Sequence, residues 1–429
     1  MLNLIGVIVA FAIIIFLIRK KFNFGLSLIL GSLVVAVFSL NDASLTDIGK
    51  GFSKAIIYNF DDKAFDFQTI ELAILLTLIF ILAKAMQKTG AINKMIKSLR
   101  TIFFKGGTLG VIPAIYGLMP VPGGALFSAP LIEEEGKKFK LKQNQKNFLN
   151  VWWRHIWFPI FPVSSAMLLI IGKNFSNIGI YELIVANIPA FIASILIGLV
   201  YLRTFIRDSP KVKTKPRKDY TGLKFLMPPI TPILVYIALF VGLFLLGFEN
   251  INNYQRIIFI VGVILSFFVL YYLLEIDCKK YFNILKESIS LNLVLAILGI
   301  MIFREMVEVS KTSEIITDVI GDLFPPILII IIIPMLLGLL TGYNLGAVAL
   351  SYFLVQPFFP LTGLNIVGLT SIIFISSLAG YLISPIHLCN VVSSDYLKTD
   401  TTRMYKMYIP AALSLIIIQT IFILIFYGN

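Results

Sequence analysis

The chain is poor in charge. Asp, Glu, Lys and Arg together make up 14% of its 429 residues, where an average soluble protein has about 25%. A water-soluble fold of this size could not cover its surface with so few. Ordinary soluble enzymes, nucleic-acid binders and disordered chains are disfavoured together. Cysteine occurs only at Cys278 and Cys389, far apart in sequence, so no disulfide framework is implied. Histidine occurs only at His155 and His387. No His/Glu metal-ligand spacing, Walker-type Gly-x-x-x-x-Gly-Lys or soluble nucleotide domain is present. The expectation is therefore no enzyme, no metal centre and no bound cofactor. An ATP-driven pump would need a separate subunit for hydrolysis.

What is present is apolar. Hydrophobic residues make up 58% of the chain and the mean hydropathy is +0.92. A helical span needs roughly 20 apolar residues. Runs of that kind are Leu2–Ile18, Phe22–Leu40, Phe67–Met86, Phe148–Ile171, Tyr181–Leu202, Phe225–Phe248, Ile257–Leu274, Ile289–Val309, Leu364–Val392 and Tyr405–Phe426. The first is followed, not preceded, by Arg19-Lys20-Lys21. That is the wrong order for a signal peptide, so it reads as a span. Gly107–Ile132 and Pro325–Pro357 are also apolar, but each has a breaker cluster near its middle. Their halves, about 10–15 residues, are too short to cross a 30 Å core at 1.5 Å per residue. They read as re-entrant hairpins, tolerated at membrane depth only where the tip is buried or lines a cavity.

Charge placement fits ten crossings with non-crossing hairpins and both termini outside. The inside loops then hold 27 of the 36 basic residues and the outside loops six, with Lys84, Arg154 and Arg304 in or near spans. This implies a multi-pass protein of the cell (inner, cytoplasmic) membrane. Its net charge of +13 then marks cytoplasmic loops, not nucleic-acid binding.

The two halves resemble each other at an offset of about 220 residues, read by internal-repeat comparison. Lys84-Ala85-Met86 matches Arg304-Glu305-Met306, Ile112–Leu118 matches Ile333–Leu339, and Phe161–Ser164 matches Ser384–His387. Each half reads as three spans, a hairpin, a Pro-interrupted span and a final span. Five crossings per half turn the second upside down relative to the first, the plan of secondary transporters. The expected fold is an all-α polytopic membrane protein of two inverted repeats. The first is residues 1–202, a cytoplasmic basic linker is 203–224, and the second repeat is 225–429.

The run Met119–Pro130, with Pro120-Val121-Pro122-Gly123-Gly124 inside it, and the later Ser384-Pro385-Ile386-His387-Leu388-Cys389 resemble an uncharacterised prokaryotic integral membrane family. It is grouped with the ion transporter superfamily of gluconate, citrate and dicarboxylate permeases and some sodium/proton antiporters. The resemblance covers essentially the whole chain and implies a permease-like protein. The superfamily's dicarboxylate carriers have Ser-Asn-Thr at their interrupted helices. This chain has Pro162-Val163-Ser164-Ser165 and Ser384-Pro385-Ile386-His387 there, so their substrate does not carry over.

The candidate substrate- and ion-binding residues lie at these interruptions. Pro122 stops the incoming half-helix; Gly123 and Gly124 let the backbone turn and expose N–H groups toward an anion. A tight turn needing glycine for shape alone is the bland alternative. Gly342 and Asn344 form the second tip, where Asn344 could bind ligand or cap its own half-helix. Ser164, Ser165, Ser384 and Asn390 sit on the interrupted spans, where hydroxyls either satisfy backbone freed by proline or line a cavity. His387 is ionisable inside a span, hence a proton-coupling candidate or a hydrogen-bonded core residue. Trp152-Trp153-Arg154-His155-Ile156-Trp157 reads as an aromatic belt with a snorkelling arginine. Arg304 with Glu308 reads as an i,i+4 ion pair, and Glu133–Glu135 as a solvated loop.

The sequence thus points to a secondary transporter for a small organic anion such as a carboxylate, coupled to sodium ions or protons by alternating access. Its partners are that anion and the lipid bilayer, and a homodimer is compatible with the reading. A sodium/proton antiporter on the same scaffold is the alternative, disfavoured because Glu71, Glu182, Glu305 and Glu308 sit near span ends or in pairs. An intramembrane enzyme using Ser384 or Ser164 with His387 lacks an oriented third group.

Overall fold

Two prolines in one apolar run, and a glycine turn in another, decide where this helical protein is broken. A computed structural model describes residues 2–103, 106–118, 123–206, 218–312, 315–316 and 323–428, with only the backbone of 401–403. The first half runs α1 (Leu2–Arg19), α2 (Phe24–Phe38), α3 (Leu45–Ile56), α4 (Gln68–Lys88), α5 (Ala91–Ile102), α6 (Thr108–Gly117), α7 (Ala125–Lys138), α8 (Gln143–Arg154), α9 (Ser165–Ile170) and α10 (Ile180–Phe205). A two-residue ribbon, Tyr58–Asn59 against Ala64–Phe65, joins α3 to α4. The second half runs α11 (Met227–Leu245), α12 (Gln255–Leu274), α13 (Cys278–Lys286), α14 (Leu291–Val309), α15 (Pro326–Thr341), α16 (Asn344–Val355), α17 (Ile366–Ile383), α18 (Leu388–Leu397) and α19 (Thr401–Phe426). Most of the expected basic linker, 207–217, lies outside the described residues.

The chain is a multi-pass membrane protein. Among the described residues eight helices are long and apolar enough to cross a bilayer, or nine if α13 and α14, bent by 40° at their junction, form one span. Their outer faces are apolar: Val185, Ile188, Ile192 and Leu196 on α10 and Ile257, Val261, Ile264 and Phe268 on α12 are exposed. In water such surfaces would be an aggregation hazard; in lipid they are the solvated face.

The count differs from ten for local reasons. Asn23 caps α2 by accepting from Leu26 N–H, and the helix stops at Ser39, leaving 15 residues or about 22 Å. The run 148–171 is two helices, because Pro159 and Pro162 lack N–H donors and disfavour helix before them. Conversely, Asn344–Leu361 passes as a span on length and composition. It nevertheless folds back against α15 about Gly342 (φ +59°) and Tyr343. Glu133–Glu135, expected in a loop, continue α7 and pair with Arg100, Lys138 and Lys146.

The halves pack across each other. α2 lies on α14, where Gly25 sits directly against the Leu295–Ala296 backbone, and α4 lies on α12. α7 and α8 pack on α18, α16 on α9, and α10 on α19. Arg256, buried at the start of α12, donates to the Leu168 and Leu169 carbonyls at 3.1 and 3.2 Å, and to the Gln68 carbonyl and side chain. It therefore closes the C-terminal end of α9, where orphan carbonyls attract a cation.

Gln419 on α19 performs a similar repair on α10. Pro189 disturbs that helix by lacking an N–H and crowding the preceding turn. The Gln419 amide clasps the turn, accepting from Ala190 N–H at 3.0 Å and donating to the Ala186 carbonyl at 2.7 Å. It also donates to Ser371 at 2.7 Å, whose hydroxyl donates to Asn187, and Asn187 in turn donates to the Pro159 carbonyl. Each polar group stranded in such a place costs about 1–3 kcal/mol. Gln419→Leu should therefore lower stability by about 2–4 kcal/mol, read as a fall in the thermal midpoint of the detergent-purified protein. An unchanged midpoint would show the clasp to be dispensable.

Candidate functional site

Both hairpins and both interrupted helices end at one place. A cavity of about 170 Å³ is lined by Gly123 of the first tip, Gly342, Tyr343 and Asn344 of the second, Ser164 and Ser165 of the first interruption, and Leu388 and Cys389 of the second. Arg154, His155, Phe158, Phe161 and Tyr381 complete much of its wall. Gly123, Ser164, Ser165, Gly342 and Asn344 are thus brought together from segments up to 221 residues apart, from 123 to 344.

The backbone geometry explains the residue types. Gly123 has φ +68° and faces Leu388, at 3.3 Å from where a Cβ would lie. Gly124 backs directly onto the Arg154 guanidinium, leaving no room for a side chain. Gly342, at φ +59°, ends α15 in the left-handed conformation and abuts Ile386 and His387. Ser164 caps α9, its hydroxyl accepting from Met167 N–H at 3.3 Å. By contrast α7, α16 and α18 begin without a side-chain cap. The first N–H groups of a helix have no partner within it; at α7 those of Leu126 and Phe127 donate to the Gly123 and Gly124 carbonyls at 3.0 and 3.1 Å, so α16 and α18 supply the open N–H groups while all three starts turn positive dipole ends toward the cavity region. The buried Asn344 Oδ1 also has no hydrogen-bond partner.

Other expected residues sit elsewhere. Ser384 donates to the Leu339 carbonyl at 2.6 Å, tying α17 to α15, and is outside the cavity lining. Asn390 accepts from Asn147 at 3.4 Å and from Ser394, also outside it. His387 lies just behind the wall, its ring 3.9 Å from the Tyr381 ring centroid. Pro122 lies outside the described residues.

The aromatic-belt reading of 152–157 is corrected by the structure. Trp152 donates to the Ser194 carbonyl at 2.9 Å, and Trp153 packs tightly against Gly110 and Gly198. Both are buried, and Arg154 is 4% exposed. The arginine is an interior cation beside the first hairpin tip, not a lipid-facing anchor. Its sequence signal was its place one turn before the Pro159 interruption; an arginine next to three tryptophans otherwise looks like any interfacial belt. Tyr381 and Cys389 had no signal, since neither is unusual in an apolar span. Arg304 does form the expected pair with Glu308, at 3.3 Å, and a second with Glu305, at 2.7 Å.

Two clefts adjoin the cavity. One of about 580 Å³ shares Ser165 and Tyr343 with it and is lined by Asn23, Lys84, Asn292 and Thr341. Another of about 460 Å³ shares Arg154 and is lined by Lys84, Lys88, Asn93, Tyr116 and Gly124. Among the described residues lining all three spaces, the charged ones are Lys84, Lys88 and Arg154; none is acidic.

The fold is shared with two membrane transporters of known structure. The YdaH transporter of Alcanivorax borkumensis, whose crystal structure shows an unusual topology, superposes with a TM-score of 0.59 at 11% identity, over 88% of this chain and 86% of that one. MtrF of Neisseria gonorrhoeae, of a class of antimetabolite efflux pumps, superposes with a TM-score of 0.50 at 13% identity, over 89% and 83%. At such identities the likeness is one of fold. The chain belongs to the family described as "Protein of unknown function (DUF401)", which matches residues 3–425. A sequence comparison with curated proteins gave no match.

Gly342 and Gly363 offer a paired test of the cavity wall. Both have positive φ, but Gly363 has open space around it. Gly363→Ala should cost only the left-handed backbone term, about 1–2 kcal/mol. Gly342→Ala should cost more, because its methyl meets Ile386. Equal shifts in thermal midpoint would contradict the packed tip.

Proposed function

We propose that this chain is a secondary transporter for a small organic anion such as a carboxylate, working by alternating access and coupled to sodium ions or protons. The observation that carries this reading is the electropositive cavity: Arg154 and three uncapped helix starts around a space with no acidic side chain among its described lining residues. Oriented N–H groups and a guanidinium in a low-dielectric site suit an anion and disfavour a cation that meets no anionic ligand there. A space of 170 Å³ holds about six water-sized groups, the scale of a small carboxylate.

On this reading the two halves are inverted repeats, as in the ion transporter superfamily the sequence resembles. The repeated order of short helices, hairpin and interrupted helix supports it, as does the reciprocal packing of α2 on α14 and α4 on α12. With positive-inside topology and both termini external, the basic clefts by Lys84 and Lys88 open to the cytoplasm, an inward-facing arrangement in the cell membrane. Arg154 then binds the substrate's negative end and Asn344 offers a polar contact. The sodium/proton antiporter is the second reading. It would need a carboxylate at the midplane, whereas Glu182 caps α10 by accepting from Gly179 N–H and Glu305 is paired with Arg304 and Lys54.

Proteoliposomes loaded with protein should take up or exchange members of a carboxylate panel and not inorganic cations alone. Arg154→Gln should reduce that flux by at least about tenfold, as expected when a buried ion pair loses one charge, while Arg154→Lys retains part of it. Sodium/proton exchange without anion flux, or full flux in Arg154→Gln, would overturn the assignment.

A further inference from the structure

His155, His387 and Cys389 form a cluster that no spacing in the sequence announces, because its members come from the end of α8, from the break just before α18 and from the first turn of α18, the two histidines being 232 residues apart. All three are buried, and one potential ligand atom from each lies within 4.8 Å of the others. The two imidazole rings meet edge to face, with centroids 4.9 Å apart.

Two features give the cluster the form of a metal-ligating site. His155 Nδ1 lies 2.7 Å from the Val151 carbonyl. A carbonyl can only accept, so Nδ1 carries the proton and Nε2 accepts from the Tyr381 hydroxyl, 3.3 Å away, a bond that an incoming ion would replace. Fixing one ring nitrogen on a backbone carbonyl while the other faces inward is the usual support of a metal-binding histidine. His387 is fully buried, and neither ring nitrogen makes a hydrogen bond of good geometry, the contact with the Leu382 backbone falling short of that. A buried polar group left in that state calls for a ligand. The cavity wall at His155, Tyr381 and Cys389 gives an ion a route in.

The donor set narrows the choice of metal. One thiolate is a soft donor and two imidazoles are borderline ones, with no carboxylate among the three, a set that suits copper or zinc. Arg154 and the starts of α7, α16 and α18 already make the surroundings positive, which penalises a second positive charge on the ion. We infer that His155, His387 and Cys389 form a binding site for a soft monovalent metal ion, Cu(I). The Cys389 thiol loses its proton on binding, so the thiolate and the ion neutralise one another and one proton leaves per ion. Bonds of about 2.0–2.3 Å require the ligand atoms to close by roughly 1 Å, which side-chain rotation supplies. The bound ion would pin the interruption of one half to that of the other.

The test uses full-length protein carrying Cys278→Ser, so that Cys389 is the sole cysteine, in detergent and without any transport assay. It is titrated with Cu(I) against a chromophoric Cu(I) chelator, then with Zn(II). One Cu(I) per chain, with two nitrogen and one sulfur neighbours by X-ray absorption, is expected. His155→Gln, His387→Gln and Cys389→Ser should each weaken binding by about 10–100-fold. Should one variant fail to fold, the other two decide. No stoichiometric Cu(I) binding, binding unchanged in two folded variants, or displacement of Cu(I) by equimolar Zn(II) would overturn the proposal. Because binding is read directly, its failure leaves the anion reading standing, and failure of anion flux leaves this result intact.

Discussion

A peptide group that faces hydrocarbon without a hydrogen bond costs several kcal/mol, so a membrane helix can be broken only where protein or trapped water surrounds the break. This chain has two interrupted helices and two hairpin tips, and all four lie against one another. The rest of the structure follows from sheltering them. α10 and α19 pack together and carry the Gln419–Ser371–Asn187 chain that ends on the Pro159 carbonyl. Arg256 reaches from α12 to close the stub of helix at 168–169. Glycines at 338 and 380 let α15 and α17 touch backbone to backbone beside the second break, the close approach that small residues permit in membranes.

The same constraint concentrates chemistry. Breaking a helix leaves donors at the new start and acceptors at the new end. Here the ends are consumed, by Arg256 at α9 and by Ser384 against Leu339, while the starts of α7, α16 and α18 are left without side-chain caps. The result is an asymmetric cavity, rich in donors, with Arg154 adding full positive charge. Lys84 lies on both adjoining clefts, so the path toward the cavity carries the same sign as the cavity itself.

Much of this was legible in the sequence because breakers are local. Pro-Val-Pro-Gly-Gly, Thr-Gly-Tyr-Asn and the two proline-serine segments stand out in apolar runs whatever the tertiary fold, and membrane depth limits where they can go. That is how Gly123, Ser164, Ser165, Gly342 and Asn344 could be named. Ser384 and Asn390 share that local signal, but which way a hydroxyl or amide faces depends on neighbours far along the chain: the Leu339 carbonyl for one and Asn147 for the other. Arg154 was misread because a belt of tryptophans and a packed interior of tryptophans have the same composition. Only Gly110 and Gly198, which the Trp153 ring covers, separate the two. The meeting of His155 with Cys389 is wholly tertiary and had no local mark.

The central claim is that the breaks of both halves share one cavity whose field favours anions. Cys389 is a native probe in its wall. In membranes containing the Cys278→Ser protein, Cys389 should react faster with an anionic methanethiosulfonate than with a cationic one, each rate divided by that of a free thiol in solution, and Arg154→Gln should reduce or reverse the preference. A preference for the cationic reagent, equal normalised rates, or no reaction with either would contradict the account.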